Sequence, residues 1–394
     1  MRPLLSVSAQ NFRSLRRVNV ELQPLNVLVG PNQAGKSNFL DLIAFLGDSA
    51  RDDLVPALDK RGGFDRVRFR GGSGGSVTIH VMANVTRHSS ERAPDEYRLA
   101  FWIGRSSRRP YLAREERFTF KRTQGRGRRI TVSGGKADFI RVTSGDENRE
   151  QQLQLRPTAL ALSTLRQLPK GEGGEEIDRV AQLFSTFRVF NPDVDLARQP
   201  VRTDSGSLTA NASNLAAAIM HLMDTEAYED FLDDARAMVP GLADIDLEGI
   251  DGPAPAVGVR LVERGLRDPT YLADASYGTV RVLALLALLY DPEPPLLTCI
   301  EEIDHGLHPH LLDRLVERLR DASRSTQFLI ATHSPALVNR LKPEELVVCE
   351  RAPDGSTILP AVESADIRRK EHAVHGELGL GELWFSGALG GVPE

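Results

Sequence analysis

Eight residues constrain this chain more than any other stretch: Gly30-Pro31-Asn32-Gln33-Ala34-Gly35-Lys36-Ser37, which satisfies G-x-x-x-x-G-K-S. The short apolar run Leu25-Asn26-Val27-Leu28-Val29 before it is consistent with a buried strand. After it, Phe39, Leu40, Ile43, Ala44 and Leu46 fall at helical spacing up to Gly47. In a strand, glycine loop and helix of this kind, backbone N–H groups wrap phosphates, the lysine bridges the β and γ oxygens, and the serine ligates magnesium. A glycine-rich surface turn would leave Lys36 and Ser37 at a helix start unexplained. Residues Gly30 to Asn38 are therefore expected to bind a nucleotide's phosphates, with Ser37 on the metal.

A second apolar run, Leu296-Leu297-Thr298-Cys299-Ile300, ends in paired carboxylates, Glu301-Glu302. Alone this is as consistent with a solvated acidic strand end. Beside a phosphate loop, the first carboxylate would serve the magnesium shell and the second the water that attacks the γ-phosphorus. Phe328-Leu329-Ile330-Ala331 closes in the same way on Thr332-His333-Ser334, where His333 could contact the γ-phosphate, although a lone histidine after a strand is more often structural.

The remaining pattern is mixed α/β. Leu5, Val7, Ala9 and Val18, Val20, Leu22 alternate as strands do. Runs 77–81, 99–103, 118–120 and 130–132 read as an antiparallel β-subdomain at about 76–135 beyond a glycine-rich, mobile stretch at 62–75. Helical periodicity holds from about 151 to 240 around a Gly/Glu-rich loop, Lys170 to Glu176, and returns from Val280 to Leu289, where Pro292, Pro294 and Pro295 forbid continuation. An amphipathic helix is expected from His310 to Leu319. There is no internal repeat and no heptad run long enough for a coiled coil. No stretch approaches the roughly 20 apolar residues a bilayer span needs, so the chain is expected to be cytoplasmic, with no membrane partner. Cys299 and Cys349 sit in apolar runs as small buried hydrophobes.

Net charge is −5, but from Arg98 to Lys136 twelve Lys/Arg face two acids, a local +10 against −15 elsewhere. With Phe101, Trp102, Tyr111, Phe118 and Phe120 interleaved, this strip could bind nucleic acid. Equally, the aromatics could be the buried face of strands whose arginines are solvated.

The ordered set Asn11-Phe12-Arg13-Ser14, GPNQAGKSN, Ala275-Ser276-Tyr277-Gly278-Thr279-Val280-Arg281, LLTCIEEIDHGLHPH and FLIATHSP resembles the ABC-type ATPase heads of the RecF, SMC and OLD group, as in the small prokaryotic "AAA family" ATPases. The resemblance covers about 1–50 and 270–340. It implies a P-loop NTPase head with an antiparallel β-subdomain and an inserted helical lobe. Residues 1–150 and 291–394 would form the nucleotide-binding lobe, and 151–290 a helical lobe ending in the signature helix. It implies ATP and Mg2+ as ligands, with Arg13 on phosphate from the first strand. Ser276 and Gly278 would be signature residues capping the γ-phosphate of nucleotide on an opposite subunit. Glu301 would take the Walker B position, Glu302 that of general base, Asp304 to His308 that of an interface-crossing loop, and His333 that of switch histidine. Such heads work as ATP-sandwiched dimers. Three residues depart from the pattern. Gln33 stands where many relatives have glycine, at little expected cost. Glu301 replaces aspartate, which could slow turnover. Ile303 stands where proline is common. Gln167 is a candidate for the Q-loop glutamine.

His305, His308 and His310 invite a metal reading, but no cysteine or fourth ligand lies near them in sequence. After Val347-Val348-Cys349 about 45 residues remain, too few for an appended Toprim nuclease domain. Trp384 and Phe385 in a short helix could pack on the core or dock a partner. The function expected is an ATPase subunit of an antiviral defence or DNA-maintenance complex acting with a separately encoded Toprim-type effector nuclease. The alternatives are a self-sufficient repair ATPase of the RecF kind and a nucleotide-gated platform with negligible turnover.

Overall fold

The computed structural model describes residues 2–72, 75–105, 110–121, 128–142, 148–167, 174–203, 207–250, 255–373 and 378–390. Contacts divide the chain into one unit of residues 1–187 and 342–394, and a second of residues 188–341.

Alternation lays down the main sheet of the first unit. β1 (Leu4–Phe12) and β2 (Leu15–Glu21) pair as an antiparallel hairpin with Val7 opposite Val20. After β3 (Leu25–Val29) come β4 (Val77–Ala83), β5 (Asp95–Arg105), β6 (Pro110–Phe120), β7 (Arg128–Ser133), β8 (Lys136–Val142) and β9 (Asn148–Gln154). Without β3 they form one eight-stranded antiparallel sheet ordered β2-β1-β4-β5-β6-β7-β8-β9. The period of two puts Ala9, Ile79 and Leu99 in one cross-strand row on the buried face, and the register carries that row on through Glu116 to Val132. The face is covered by α1 (Lys36–Asp52), whose Phe45 ring lies 5.6 Å from those of both Phe12 and Phe101, and by the helix Gly174–Ser185, whose Phe184 packs on Tyr97 at 5.4 Å. β3, buried at all five positions, pairs in parallel with Leu346–Val348, so Val29 sits opposite Val348 just before the glycine loop.

In the second unit, Arg188–Phe190, Leu297–Glu301 and Gln327–Thr332 form a parallel set with Phe190, Ile300 and Ile330 aligned. The helix Leu312–Ala322 makes the crossover between the last two strands. The helix Tyr277–Leu289 is buried from Val280 to Leu288 and apolar over that span except for Arg281. Asp234, 1 % exposed, ties three helices together: its carboxylate accepts from Tyr290 Oη at 2.6 Å and pairs with Arg314 Nε at 2.5 Å and Arg318 Nε at 3.0 Å.

Several sequence expectations change. The sheet begins at β1 and runs to Gln154, past the 76–135 span expected. The polar run NREQQLQ of β9 lacks the apolar alternation that marks a half-buried strand. The region expected to be helical from 151 to 290 carries an antiparallel ribbon, Leu242–Ile250 with Ala256–Glu263. The helical stretch 215–238 is two helices, Leu215–Met223 and Tyr228–Met238. The stretch 62–75, read as mobile, holds the short helix Phe64–Val67, and Val67 O accepts from Arg13 N at 2.6 Å. The helix expected from His310 starts at Leu312, after a turn at Pro309–Leu311. Part of the expected Lys170–Glu176 loop lies outside the described residues. Trp384 packs on the core at 6 % exposed, whereas Phe385 is 72 % exposed. Among the described residues no helix is long and apolar enough to cross a membrane.

Candidate functional site

The glycine loop of the first unit is shaped by close approach. At Gly30 a Cβ would sit 2.3 Å from Cys349 O. At Gly35, with φ of 109°, it would sit 2.0 Å from Thr357 Oγ1 and 2.9 Å from Ser14 Oγ. Pro31, Asn32 and Ala34 complete the loop. Gln33 adopts φ of 65°, so its side chain carries a left-handed cost of roughly 1–2 kcal/mol, more than the little cost expected of it. Its carbonyl is held by Arg351 Nη1 at 3.0 Å.

Gly35 is the N-cap of α1, no side chain caps that helix start, and its first turn has no acid. The N–H groups of that first turn and the positive end of the helix dipole therefore face the loop. Lys36 is 5 % exposed, and its Nζ donates to Gly30 O at 2.8 Å and Pro31 O at 2.9 Å, folded along the loop it would leave for an anion. Ser37 is exposed and among the described residues its hydroxyl makes no hydrogen bond, which suits a metal ligand. Asn38 Nδ2 donates to Ser14 Oγ at 2.6 Å, and Ser14 Oγ meets Thr357 Oγ1 at 2.7 Å. These features fit a nucleoside triphosphate with its cation. Cys349, buried behind Gly30, has its thiol pushed up to about 12 by burial, so it stays a neutral packing group.

Arg13 is placed otherwise than expected. It has φ of 49°, and its Nε pairs with Asp41 Oδ2 at 2.6 Å, part of a chain in which Arg61 bridges Asp41 and Asp48. It also lines a cavity of about 340 Å³ with Asn38, Arg66, Arg68, Arg70 and Arg351. Thr357 and Arg351 were missed in the sequence. They reach the loop from more than 300 residues away and carry no local signal.

In the second unit, Glu301 ends the strand Leu297–Glu301 opposite Ala331, and His333 follows the neighbouring strand, so both lie at carboxyl ends of parallel strands, where ligands of such sheets bind. Glu302 adopts φ of 48°. Its N–H donates to Ala331 O at 2.9 Å, its carbonyl accepts from Arg281 Nη2 at 2.6 Å, and its carboxylate is 3.8 Å from His305 Nδ1. Asp304 accepts from Thr332 Oγ1. Ser276 caps the helix Tyr277–Leu289, accepting from Thr279 N at 3.1 Å, and its turn is exposed. Gly278 lies against the loop after Glu302: a Cβ there would be 3.1 Å from Gly306 O. The rings of His308 and His310 lie 4.5 Å apart, tilted by 51°, and no group of three possible metal ligands occurs among the described residues. Gln167 ends a 3-10 turn, Leu165–Gln167; its side chain lies outside what is described.

The basic strip divides between two faces. Phe101, Phe118 and Phe120 are buried, and so are Arg114 and Arg128, the first beside Glu116 at 3.3 Å and the second on Glu176 at 2.9 Å. Arg98 and Arg117 are exposed and directly opposed across β5 and β6. With Arg17, His80 and Glu96 they line a trough of about 730 Å³ on the outer face. Arg108, Arg109, Arg122 and Arg126 lie outside the described residues.

A family profile described as "AAA domain, putative AbiEii toxin, Type IV TA system" matches residues 25–339. No curated protein matches. Among solved structures the chain is similar to an SMC head bound to the C-winged helix domain of ScpA, at 13% identity and a TM-score of 0.53, covering 91% of this chain and 97% of that one. It is also similar to an SMC head with an extended coiled coil, bound to the C-terminal domain of ScpA derived from Pyrococcus furiosus, at 12% identity and a TM-score of 0.55, covering 95% and 100%.

Proposed function

Since the chain belongs to this AAA domain family and has the fold of SMC heads, we propose that it binds Mg-ATP at Gly30 to Asn38, hydrolyses it, and closes into a homodimer while nucleotide is bound. The observation that carries the reading is the uncapped start of α1 beneath a loop whose Gly30 and Gly35 leave no room for side chains. When bound, magnesium would neutralise charge on the β and γ phosphates, with Ser37 and, through water, Glu301 as its holders. Lys36 exchanges its two loop carbonyls for phosphate oxygens. Glu302 takes a proton from the water that attacks the γ-phosphorus as the β–γ bridging oxygen departs, and His333 steadies the γ-phosphate. Ser276 and Gly278, at the exposed start of their helix, receive the γ-phosphate held by the opposite copy. Arg13 must release Asp41 to reach phosphate.

Glu302→Gln tests this, because it should bind ATP without turning it over and so accumulate a dimer. Equal apparent mass with and without ATP in gel filtration of that variant refutes the mechanism.

The biological role we propose is the ATPase subunit of a defence or DNA-maintenance complex with a separate effector, of which a Toprim-type nuclease is one form. The two SMC heads bound to ScpA domains support only the docking of a separate protein on such a head. Nucleic acid is a second proposed ligand, favoured by the outward Arg17, Arg98 and Arg117: Arg98 and Arg117 are opposed across the sheet, and Glu115, 3.6 Å from Arg117, and Glu96 in the same trough offset them only in part. DNA-stimulated turnover with no partner would favour the RecF-like alternative. Negligible turnover, unchanged by Glu302→Gln, would favour the nucleotide-gated platform.

A further inference from the structure

Arg281 is the single charged residue in the helix Tyr277–Leu289 and is 3 % exposed. A guanidinium in an apolar helix is costly, and among the described residues no carboxylate pairs with it. Its Nη2 instead donates to the carbonyl of Glu302 at 2.6 Å, while its Nε is buried without a partner. The acceptor is itself unusual. Glu302 is a non-glycine residue in the left-handed region, a conformation that persists only where surrounding contacts hold it. Three contacts fix its backbone: Ala331 O takes its N–H, and its carbonyl accepts from both Arg281 Nη2 and, at 3.0 Å, His305 N. The same helix turn meets the following loop twice more, where the Tyr277 ring lies against Gly306 and makes an edge contact with His305 at 5.9 Å.

We propose that Arg281 is a positioning residue that locks the Glu302 peptide in its left-handed turn and ties the Ser276 turn mechanically to the general base. Engagement of Ser276 and Gly278 is thereby felt at Glu302, so the helix couples what its N-terminus binds to the chemistry of its own subunit. The proposal rests on the reading of Glu302 as general base. A side chain chosen only for packing would be apolar here. The buried charge is explained by the carbonyl it must hold.

The test is steady-state hydrolysis and ATP binding by the full chain carrying Arg281→Met, Arg281→Lys, Glu302→Gln, or Arg281→Met with Glu302→Gln. Misplacing a catalytic group by an ångström costs about 100-fold, so Arg281→Met should lower kcat roughly 10- to 100-fold with KM and ATP affinity within about twofold. Arg281→Lys, which keeps a charge and a donor, should recover most of that loss. Added to Glu302→Gln, Arg281→Met should lower the residual rate no further, because it acts through the group already removed. The proposal is overturned by full kcat in Arg281→Met, or by an equal fractional loss with and without Glu302. Should Arg281→Met fail to fold, Arg281→Gln, which loses the charge, decides in its place: a kcat reduced at unchanged KM supports the role, and an unchanged kcat overturns it. If Glu302→Gln itself leaves turnover intact, the general-base reading fails. If Glu302→Gln abolishes turnover while the Arg281 variants are silent, only the coupling fails.

Discussion

Glu116 offers a quantitative test of how the first unit is held together. The register of β6 places it inward, between Leu99 and Val132, fully buried. Ala161 N donates to its Oε1 at 2.7 Å, Tyr97 Oη to its Oε2 at 3.2 Å, and Arg114 Nε lies 3.3 Å away. Burial raises its pKa from 4.5 to about 7, against the opposing pull of Arg114 and these donors. The sign follows from linkage: a carboxyl whose folded pKa exceeds its unfolded value binds its proton more tightly when folded. Stability is therefore greatest below about pH 4.5 as far as this group is concerned, and falls as pH rises toward 7. Integrating between those two values gives a loss of roughly 2–3 kcal/mol from pH 5 to pH 8. Glu116→Gln removes this dependence, because the amide mimics the neutral carboxyl and carries no titrating proton. Urea unfolding at pH 5, 6, 7 and 8 should give a wild-type stability that falls relative to the variant's by roughly 2–3 kcal/mol. Parallel curves for the two proteins would show that Glu116 does not titrate in this window. The same segment also supports the phosphate helix, because Asp53, just past the end of α1, accepts from Leu160 N at 2.8 Å. A change at Glu116 is therefore expected to lower the thermal midpoint of the unit that holds the glycine loop.

Asp234→Ala strips a buried carboxylate from Tyr290, Arg314 and Arg318, and should cost about 3–5 kcal/mol in unfolding of the second unit, read by calorimetry. A loss under about 1 kcal/mol would mean the arginines find solvent freely. Arg17→Glu with Arg98→Glu should weaken single-stranded DNA binding in fluorescence titrations. The slope of log affinity against log salt should flatten by about 0.7 for each phosphate the protein no longer neutralises, and an unchanged slope would place any DNA elsewhere.

Much of the candidate site was legible because its signals are local. Gly30 and Gly35 are dictated by close approach and backbone sign, Lys36 and Ser37 by their place at a helix start, and Glu301 and His333 by following apolar strands. Ser276 entered only through the family resemblance, and it caps the helix whose periodicity was read from Val280. Arg281 also left a signal, one charge in an apolar helix, but its acceptor is a backbone carbonyl that no sequence pattern displays. β9 was hidden because a polar sheet strand leaves no alternation to see.

The sequence by itself determined that a phosphate loop joins a buried strand to a helix, that acidic and histidine-bearing strand ends accompany it, and that the fold is mixed α/β. These follow from short-range sterics and from the two periodicities of helix and strand. Only the tertiary structure decided that Arg13 rests on Asp41, that Arg114 and Arg128 turn inward while Arg98 and Arg117 face out, and that Thr357 closes on Gly35. Each depends on strand register or on residues brought together from distant parts of the chain. A one-residue shift of register would reverse every side chain of a strand without altering its composition.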